Sequence, residues 1–428
     1  MKLQLGKLLK RLPEGALAFD VSVIFGGFSL QLLTQIGWLL LAVRYLGPEG
    51  YGVFAGLTGL TFTVGCFVGW GSGPLLVRGV SAQPDLLQHW MGHALICITV
   101  TGIAAAAALM LLLPWLEFGT LGLVPLAAVV VSDVVFGRYA SLCVNIYMAR
   151  GWASRQSSIS VIVGACKLVA MALACIRYDK VTLSVWAWWY LGANVWSAAI
   201  CLRVATRDYG WPRWRWIPGT LRLGFAFSAE NAMQSAIKDL DKLIVLQILG
   251  PTAAGYYATA FRIIDTLIMP LYALAYATYS RMFRLAADST HACVAYGLKL
   301  LPISVAIGGA VGIGALVGAG VLPLVFGSAY GEVSWMVRLL APMPALMGAF
   351  MIGADILSAI GRQEIRLGIV SVSLVISLVL CRWVVGFAGL EGAFLIRLGV
   401  AATTTLAIWA MIRECGQAQR RHTADGIS

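Results

Sequence analysis

One predicted helix, residues 223–248, carries polar side chains along its whole length. They recur at intervals of four, four and three residues, in the order Glu230, Gln234, Lys238 and Asp241. Residues at this spacing share one face of an α-helix. These side chains are charged or form hydrogen bonds, so the face is a candidate for contact with water and a polar substrate.

Two interpretations of this polar face remain open. Because ionised side chains are costly to expose to hydrocarbon, the face can line a water-filled cavity. It can also hold an internal ladder of ion pairs, Lys238 with Asp241 or Lys242 with Asp239, that only fastens the helices together. The two interpretations are compatible with each other.

Other ionisable residues also fall inside apolar segments. The basic ones are Arg138, Lys167, Lys238, Lys242, Arg262, Arg338, Arg382 and Arg397. Each would cost about 2.5 to 3.5 kcal/mol at a lipid-facing helix centre, so the central ones must face water, protein or a carboxylate. Arginine binds phosphate bidentately and lysine acts as a point charge, so the excess positive charge predicts an anionic substrate. The carboxylates of Asp133, Glu230 and Asp265 are candidates for carrying a coupling proton or sodium ion.

The elements that must position these residues are transmembrane helices. Of 428 residues, 60% are hydrophobic and only 12% are charged, and the mean hydropathy is +0.85. Soluble domains carry about 25% charged residues. Apolar runs recur along the whole chain and leave no room for a soluble catalytic domain or a nucleic-acid module. Nine cysteines without a CxxC pair indicate neither a disulfide framework nor a zinc site, and no cofactor is expected.

The length predicts an all-α integral membrane protein of about twelve transmembrane helices, since each span needs roughly 20 apolar residues. The predicted spans are 19–43, 52–75, 92–113, 121–147, 156–176, 183–202, 223–248, 255–280, 299–323, 333–359, 365–385 and 391–412. They form an N-terminal lobe of six spans (1–202), a basic linker (203–222), a C-terminal lobe of six spans (223–412) and a tail (413–428).

The distribution of charge predicts the orientation. Loops and tails on the side of the two termini hold twenty Lys or Arg residues, and the opposite loops hold three, Arg44, Arg177 and Lys180. Because basic residues concentrate in cytoplasmic loops, both termini are expected in the cytoplasm. Basic residues within positions 2–11 precede the first apolar run, as in a signal peptide, but that run is too long for one and is interpreted as the first span.

The longest and most basic loop, residues 203–222, carries five arginines and three tryptophans. One interpretation is a linker beside the membrane with an interfacial aromatic belt. The other is a contact with anionic lipid. His89 and His93 lie one turn apart at the start of the third predicted span, and they are interpreted as the solvated end of a helix.

The two halves of the chain share a motif. Residues 46–52 read LGPEGYG and residues 249–257 read LGPTAAGYY, and each motif joins the first two spans of its half. Aligning Gly47 with Gly250 also lays Gln31 on Gln234. Because a repeat with an even number of spans keeps its orientation, the halves are expected to be related by an axis along the membrane normal.

These motifs carry a resemblance to a known family. LGPEGYG, GWGSGPLLVRGVS (69–81) and DLDKLIVLQILGPTAAGYYATAFRIIDTLIMP (239–270) resemble Wzx-type polysaccharide or O-antigen repeat-unit flippases. These flippases belong to the multidrug/oligosaccharidyl-lipid/polysaccharide (MOP) exporter superfamily. By position, Asp241 matches the family's Asp in the seventh span, Arg262 the Arg after the Gly-Tyr motif, and Arg78 the Arg that ends the second span. Arg78 can also be an ordinary topology-setting charge.

The resemblance implies a MATE-like, V-shaped transporter with two six-helix lobes around a cationic cavity. It implies a flippase, not an enzyme, that moves an undecaprenyl-diphosphate-linked oligosaccharide from the cytoplasmic to the periplasmic leaflet by alternating access. The expected partners are this polyprenyl-diphosphate-linked oligosaccharide, membrane lipids, and the polysaccharide polymerase and chain-length proteins. The residues predicted to bind substrate are Arg78, Arg138, Gln234, Lys238, Asp241, Lys242 and Arg262.

Two other functions remain open at this stage. A cation or drug antiporter of the same superfamily needs an acidic, aromatic-lined pocket, whereas basic residues in these spans are at least as numerous as acidic ones. A membrane-embedded polysaccharide polymerase or glycosyltransferase usually needs a large extramembrane loop or a catalytic histidine. The predicted outer loops are short, which favours transport.

Overall fold

The chain folds into α-helices. A computed structural model of the protein describes residues 14–116, 122–327 and 330–425, and these ranges contain no β-strand. The basic N-terminal residues Lys2, Lys7, Lys10 and Arg11 lie outside the described residues. The helices are α1 (Glu14–Gly65), α2 (Ser72–Ala82), α3 (Leu87–Leu112), α4 (Leu123–Val131), α5 (Gly137–Ala149), α6 (Ala153–Arg177), α7 (Leu183–Tyr209), α8 (Leu221–Leu249), α9 (Pro251–Leu267), α10 (Met269–Asp288), α11 (Thr290–Gly318), α12 (Leu322–Phe326), α13 (Val333–Leu339), α14 (Met343–Ala359) and α15 (Gln363–Asp425).

Many of these helices are long and apolar enough to cross a membrane. Within the described residues, six helical stretches meet this test, or up to eight if two bent pairs each count as one span. Two of the six are kinked helices, α1 and α15, which bend at Gly47 and Gly389. Helix α1 covers the first predicted span and the start of the second, and α15 covers the last two predicted spans. The protein is therefore a multi-pass membrane protein, and the number twelve stays a prediction.

The second predicted span, 52–75, is not one continuous helix as expected. Helix α1 ends at Gly65 and α2 begins at Ser72. Between them Gly69, Trp70 and Gly71 have positive φ angles of 83°, 49° and 68°. Two of these three residues are glycines, which adopt this backbone conformation without steric cost. The turn is held in unit 1 because the Gly69 N–H donates to Thr101 Oγ1 at 2.7 Å.

Two other spans depart from a straight helix. Pro270 stands in the first turn of α10, and α9 and the start of α10 meet at an angle of 43°. Because proline lacks a backbone N–H, Pro270 accounts for this bend within the eighth predicted span. In the fourth predicted span a π-helical turn, Ser132–Phe136, separates α4 from α5. Such turns are rare and often accompany functional sites.

The helices pack into two compact units. Of the described residues, unit 1 contains 14–45, 61–116 and 122–232, and unit 2 contains 46–60, 233–327 and 330–425. In the interior of unit 1, the side chains of Trp186, Tyr147 and Tyr190 are almost completely buried. In unit 2, Tyr257 and Phe394 are buried together with a cluster of aliphatic side chains around Ile352, Ile356 and Ile408. The predicted lobe boundaries stay a prediction.

The repeated motif has the same backbone geometry at both of its occurrences. Gly47 has φ 68° and ψ 176°, and Gly250 has φ 86° and ψ 177°. A proline follows each glycine and begins the next helical segment. Within unit 2 the two motifs also meet: a Cβ on Gly52 would collide with the Pro251 carbonyl, and a Cβ on Gly255 would collide with the Pro48 carbonyl. This reciprocal contact is what an internal repeat predicts.

Candidate functional site

Unit 1 buries a carboxylate at the π-helical turn. Asp133 is 4% exposed. Its Oδ2 accepts a hydrogen bond from Thr61 Oγ1 at 2.6 Å, and its Oδ1 accepts one from the Tyr190 hydroxyl at 2.6 Å. The irregular turn displaces Asp133 from the ordinary helical register, and the carboxylate thereby faces both α1 and α7. Both oxygens of this buried carboxylate are therefore hydrogen-bonded.

A cation reaches this carboxylate through the tyrosine. Lys167 on α6 donates to the Tyr190 hydroxyl at 3.2 Å and lies 4.8 Å from the centre of the same ring. Lys167, Tyr190 and Asp133 thus form a continuous chain of hydrogen bonds. Such a chain can pass a proton between its ends, and it keeps the carboxylate partly neutralised inside the unit.

Arg138 lies near this network at the start of α5. Its Nη2 donates to the carbonyl of Phe62 at 3.2 Å, and its guanidinium lies 5.7 Å from the centre of the Phe62 ring. Its Nε is buried and has no hydrogen-bond partner. A Cβ on Gly65 would collide with the guanidinium, so this glycine leaves the space that Arg138 occupies. The guanidinium of Arg138 interacts electrostatically with the carboxylate of Asp133.

Unit 2 buries a second carboxylate. Asp241 on α8 is 3% exposed and accepts a hydrogen bond from the Tyr257 hydroxyl at 2.8 Å. Its Oδ1 accepts the backbone N–H of Lys242 at 2.9 Å. Arg397 on α15 lies 3.6 Å from its Oδ2 and also donates to the carbonyl of Ile237. Asp241 therefore has a direct ionic partner from the far end of the chain.

The predicted ion-pair ladder on α8 is half right. Lys242 pairs with Asp239, three residues away, as expected. The other proposed pair, Lys238 with Asp241, is wrong because Asp241 turns inward to Arg397 and Tyr257. Lys242 is 9% exposed, so its charge is both buried and compensated. The ladder thus compensates the charge of Lys242 but not that of Lys238.

Two further side chains of the polar face are exposed at the surface of the protein. Gln234 and Lys238 are exposed, as is Asn231 beside them. The ammonium of Lys238 lies 5.9 Å from the centre of the Tyr272 ring on α10. Among the described residues no carboxylate lies within ion-pair distance of Lys238. Arg262 on α9, also in unit 2, is half-buried and likewise forms no ion pair in the described part of the chain.

The other predicted site residues have no common location. Arg78 on α2 is exposed, and Glu230 on α8 is half-buried. Asp265 on α9 is exposed. Its carboxylate interacts electrostatically with Lys242 and Arg397. Within the described residues, no group of three or more His, Cys, Asp or Glu side chains is arranged to hold a metal ion.

Sequence reasoning missed the groups that complete the two networks. Thr61, Tyr190 and Tyr257 are hydroxyl donors in apolar segments, where they resemble ordinary packing residues. Arg397 was recognised as a basic residue within a span but not as the partner of Asp241. One signal was available: each buried aspartate needs a compensating cation, and the chain has few basic residues at mid-span to provide one.

His93 also differs from expectation. It is 1% exposed, so the interpretation of this residue as part of a solvated helix end is wrong. Its Nδ1 accepts the backbone N–H of Ile217 at 3.2 Å, and its ring contacts that of Trp216, with 5.0 Å between centroids. Helix α3 is therefore covered at this end by the loop between α7 and α8.

Comparison with known proteins gives a family and a fold. A family profile described as polysaccharide biosynthesis protein matches residues 40–335. Among solved structures, an inward-facing multidrug resistance MATE family transporter of the MOP superfamily matches with a TM-score of 0.76 and 14% identity, over 93% of this chain and 99% of its own. An outward-facing MATE transporter matches with a TM-score of 0.65 and 18% identity, over 94% and 95%.

A third solved structure is a MOP superfamily transporter from Pyrococcus furiosus, described as having a binding pocket of reverse polarity that suggests a different function. It matches with a TM-score of 0.65 and 17% identity, over 94% of this chain and 95% of its own. No curated protein matches the sequence. Together the solved structures confirm the predicted all-α, MATE-like fold.

Proposed function

The chain belongs to the family of polysaccharide biosynthesis proteins, and we propose that it is a flippase for a lipid-linked oligosaccharide. Its substrate in this proposal is an undecaprenyl-diphosphate-linked repeat unit for exopolysaccharide, capsule or O-antigen assembly. The protein moves this unit from the cytoplasmic to the periplasmic leaflet. The family and the transporter fold support a transport function over catalysis.

The observation that carries this proposal is the exposure of Lys238 and its lack of an ion-pair partner among the described residues. Lys238 lies well inside the 29-residue helix α8, yet it is exposed and has no carboxylate partner among the described residues. An uncompensated lysine facing hydrocarbon there would cost about 2.5 to 3.5 kcal/mol. A water-filled cavity that receives an anion removes this cost, whereas a dry lipid-facing surface does not.

Each predicted binding residue has a role in this proposal. Lys238 and Arg262 are the cations free to meet a diphosphate, and Gln234 is an amide that can bind a sugar hydroxyl or a phosphate oxygen. Lys242 is already paired with Asp239, and Asp241 with Arg397. Lys242 and Asp241 therefore hold α8 in place and contribute less to binding. Arg138 and Arg78, both in unit 1, are further candidates for contact with the anionic substrate.

Transport proceeds by alternating access in this proposal. The charged headgroup enters the cationic interior while the polyprenyl tail stays in the bilayer, because moving the tail through water would forfeit its hydrophobic burial. The interior then opens to the other side. Binding must be weak enough for release, and single-point cations such as Lys238 allow this better than a closed cluster of bidentate arginines.

Ion coupling is a further part of the proposal, and Asp133 is its main candidate. Asp133 is linked to Lys167 through Tyr190, so a change in its protonation would redistribute charge across unit 1. Glu230 and Asp265 are alternative carriers, with Glu230 half-buried and Asp265 exposed. The proposal also places the protein in the bacterial inner membrane with both termini in the cytoplasm, near the polysaccharide polymerase and chain-length proteins.

The test is a flipping assay in proteoliposomes with a fluorescent undecaprenyl-diphosphate oligosaccharide. Reversing the charge with Lys238→Glu should abolish translocation, and Lys238→Arg should retain it. Arg382→Gln removes an exposed arginine on α15 and serves as the matched control, which should remain active. Undiminished translocation by Lys238→Glu in correctly inserted protein would overturn the proposal.

A drug antiporter is the second candidate, because two of the matched structures are multidrug resistance transporters. A cationic drug should be repelled by Lys238, so Lys238→Glu would raise its transport rather than abolish it. The same proteoliposomes, loaded with a cationic dye, separate the two functions. Mass spectrometry of the recovered oligosaccharide tests the enzymatic alternative, since a flippase leaves its substrate chemically unchanged.

A further inference from the structure

The loop between α7 and α8 has an ordered backbone and an outward-facing surface of its own. We name residues 210–217, GWPRWRWI, the interfacial strap. The strap is non-helical, and no acidic residue occurs between Asp208 and Glu230. It alternates tryptophan and arginine, two side chains that favour the boundary between membrane and water.

The strap is fastened to the start of α3. The backbone N–H of Arg213 donates to the Gln88 carbonyl at 2.9 Å, and the side chain of Gln88 donates to the Tyr209 carbonyl at 2.9 Å. Further along, the Ile217 N–H donates to His93 at 3.2 Å. A Cβ on Gly92 would collide with the Arg213 carbonyl, so the strap lies directly on this helix. Its backbone is therefore held in one position.

This fastening decides which side chains face outward. Trp211 and Trp214 are 82% and 68% exposed, and Arg213 and Arg215 are exposed beside them. Tryptophan in water exposes a large apolar ring, which is unfavourable unless another surface covers it. An apolar surface over the rings and anionic groups beside the guanidinium groups would therefore stabilise this arrangement.

The acidic residue closest to the strap in sequence forms a hydrogen bond away from it. Asp208, which ends α7 together with Tyr209, accepts a hydrogen bond from the Tyr147 hydroxyl at 2.7 Å. Arg150 nearby donates to the Pro84 carbonyl at 3.1 Å and lies over the Tyr209 ring. The outward surface therefore carries a net positive charge that no residue of the strap compensates.

We propose that the interfacial strap is a binding surface for anionic phospholipids. The phosphodiester groups would accept hydrogen bonds from Arg213 and Arg215, and the rings of Trp211 and Trp214 would enter the boundary between headgroups and acyl chains. Because short connections tie the strap to helices at both ends and α3 holds its middle, it stays at the level of the headgroups. This surface is distinct from the proposed cavity, and the inference does not depend on the transported substrate.

The experiment is native mass spectrometry of the purified full chain from mixed micelles of phosphatidylglycerol and phosphatidylcholine. The ratio of the two retained lipids measures the preference for negative charge. Arg213→Gln with Arg215→Gln should lower this preference by about fivefold for each arginine removed, as expected for a basic side chain near an anionic surface. Arg213→Lys with Arg215→Lys keeps the charge but loses bidentate binding and should give an intermediate ratio.

The matched control is Arg281→Gln with Arg284→Gln, which removes two exposed arginines from α10. It should leave the lipid preference unchanged. An unchanged ratio in the strap variant, or an equal loss in the control, would overturn the proposal. A second arm replaces phosphatidylglycerol with undecaprenyl diphosphate: if the strap variant loses only this ligand, the strap serves substrate loading instead and the lipid proposal is wrong.

Discussion

Each compact unit buries one aspartate beside a tyrosine and a cation, but the two arrangements differ in how the cation is connected. In unit 1, a hydrogen-bonded bridge through the hydroxyl of Tyr190 connects Lys167 to Asp133. In unit 2, Arg397 contacts Asp241 directly at 3.6 Å. A direct pair holds its charges together in every protonation state of its neighbours. A bridged pair can respond to one proton, so under the proposed function unit 1 is the candidate for ion coupling and unit 2 the candidate for a fixed brace.

The largest effect is expected from breaking the direct pair. Arg397→Met leaves Asp241 buried without its cation, and removing one partner of a buried ion pair costs about 3 to 5 kcal/mol. The thermal unfolding midpoint in detergent should fall accordingly. Adding Asp241→Asn to Arg397→Met should recover much of the loss, because the uncompensated charge is then gone. Equal stability of Arg397→Met and the unmodified protein would show that the pair does not act as a brace.

Removing the two tyrosine hydroxyls sharpens the comparison. Tyr190→Phe removes the hydroxyl that bridges Lys167 and Asp133, and a hydrogen bond to a charged group is worth about 1.5 to 3 kcal/mol. Tyr257→Phe leaves Asp241 with Arg397 and the backbone N–H of Lys242, so we expect the smaller loss there. Both variants are compared by thermal unfolding and by translocation under an ion gradient.

Translocation separates the two roles more clearly than stability does. Tyr190→Phe should weaken the dependence of transport on the gradient, whereas Tyr257→Phe should keep it. If Tyr257→Phe removed the dependence and Tyr190→Phe did not, the assignment of ion coupling to unit 1 would have to be exchanged for unit 2.

The smallest effect is expected at the repeated turns. Gly47→Ala and Gly250→Ala each place a side chain at positive φ, which costs about 1 to 2 kcal/mol. A Cβ at either position meets no atom within 4 Å, so the cost is conformational and should be similar in both halves. Gly309→Ala, in the open interior of helix α11, is the control and should be neutral or stabilising by about 0.5 to 1 kcal/mol. Unequal losses at Gly47 and Gly250 would contradict a shared role for the motif.

Much of the fold was predictable from local patterns. Long apolar runs predicted the helices, and the Leu-Gly-Pro motif predicted an internal repeat, which agrees with the similar backbone angles at Gly47 and Gly250. The break at residues 66–71 was not predicted, because apolar residues surround the glycines and hydropathy alone continues through them. The π-helical turn at Asp133 was also not predicted, because the apolar run in the sequence continues on both sides of it.

The candidate site was predictable only along single helices. Spacing on α8 identified Lys238 and Gln234 as one face and Lys242 with Asp239 as a pair. The partner of Asp241 could not be found in this way, because Arg397 belongs to a different helix far along the chain. Burial of His93 also escaped prediction, since the loop that covers it is linked to α3 only by tertiary contacts.

The most direct test of the account is whether water reaches Lys238. In a variant whose nine native cysteines are replaced by serine, Lys238→Cys should react rapidly with a charged, membrane-impermeant maleimide. Val375→Cys, at an exposed apolar position of α15, should stay unlabelled because hydrocarbon covers it. Labelling of Lys238→Cys and its protection by an undecaprenyl-diphosphate oligosaccharide are the predicted results. A Lys238→Cys as inert as Val375→Cys would contradict the cavity and the transport function built on it.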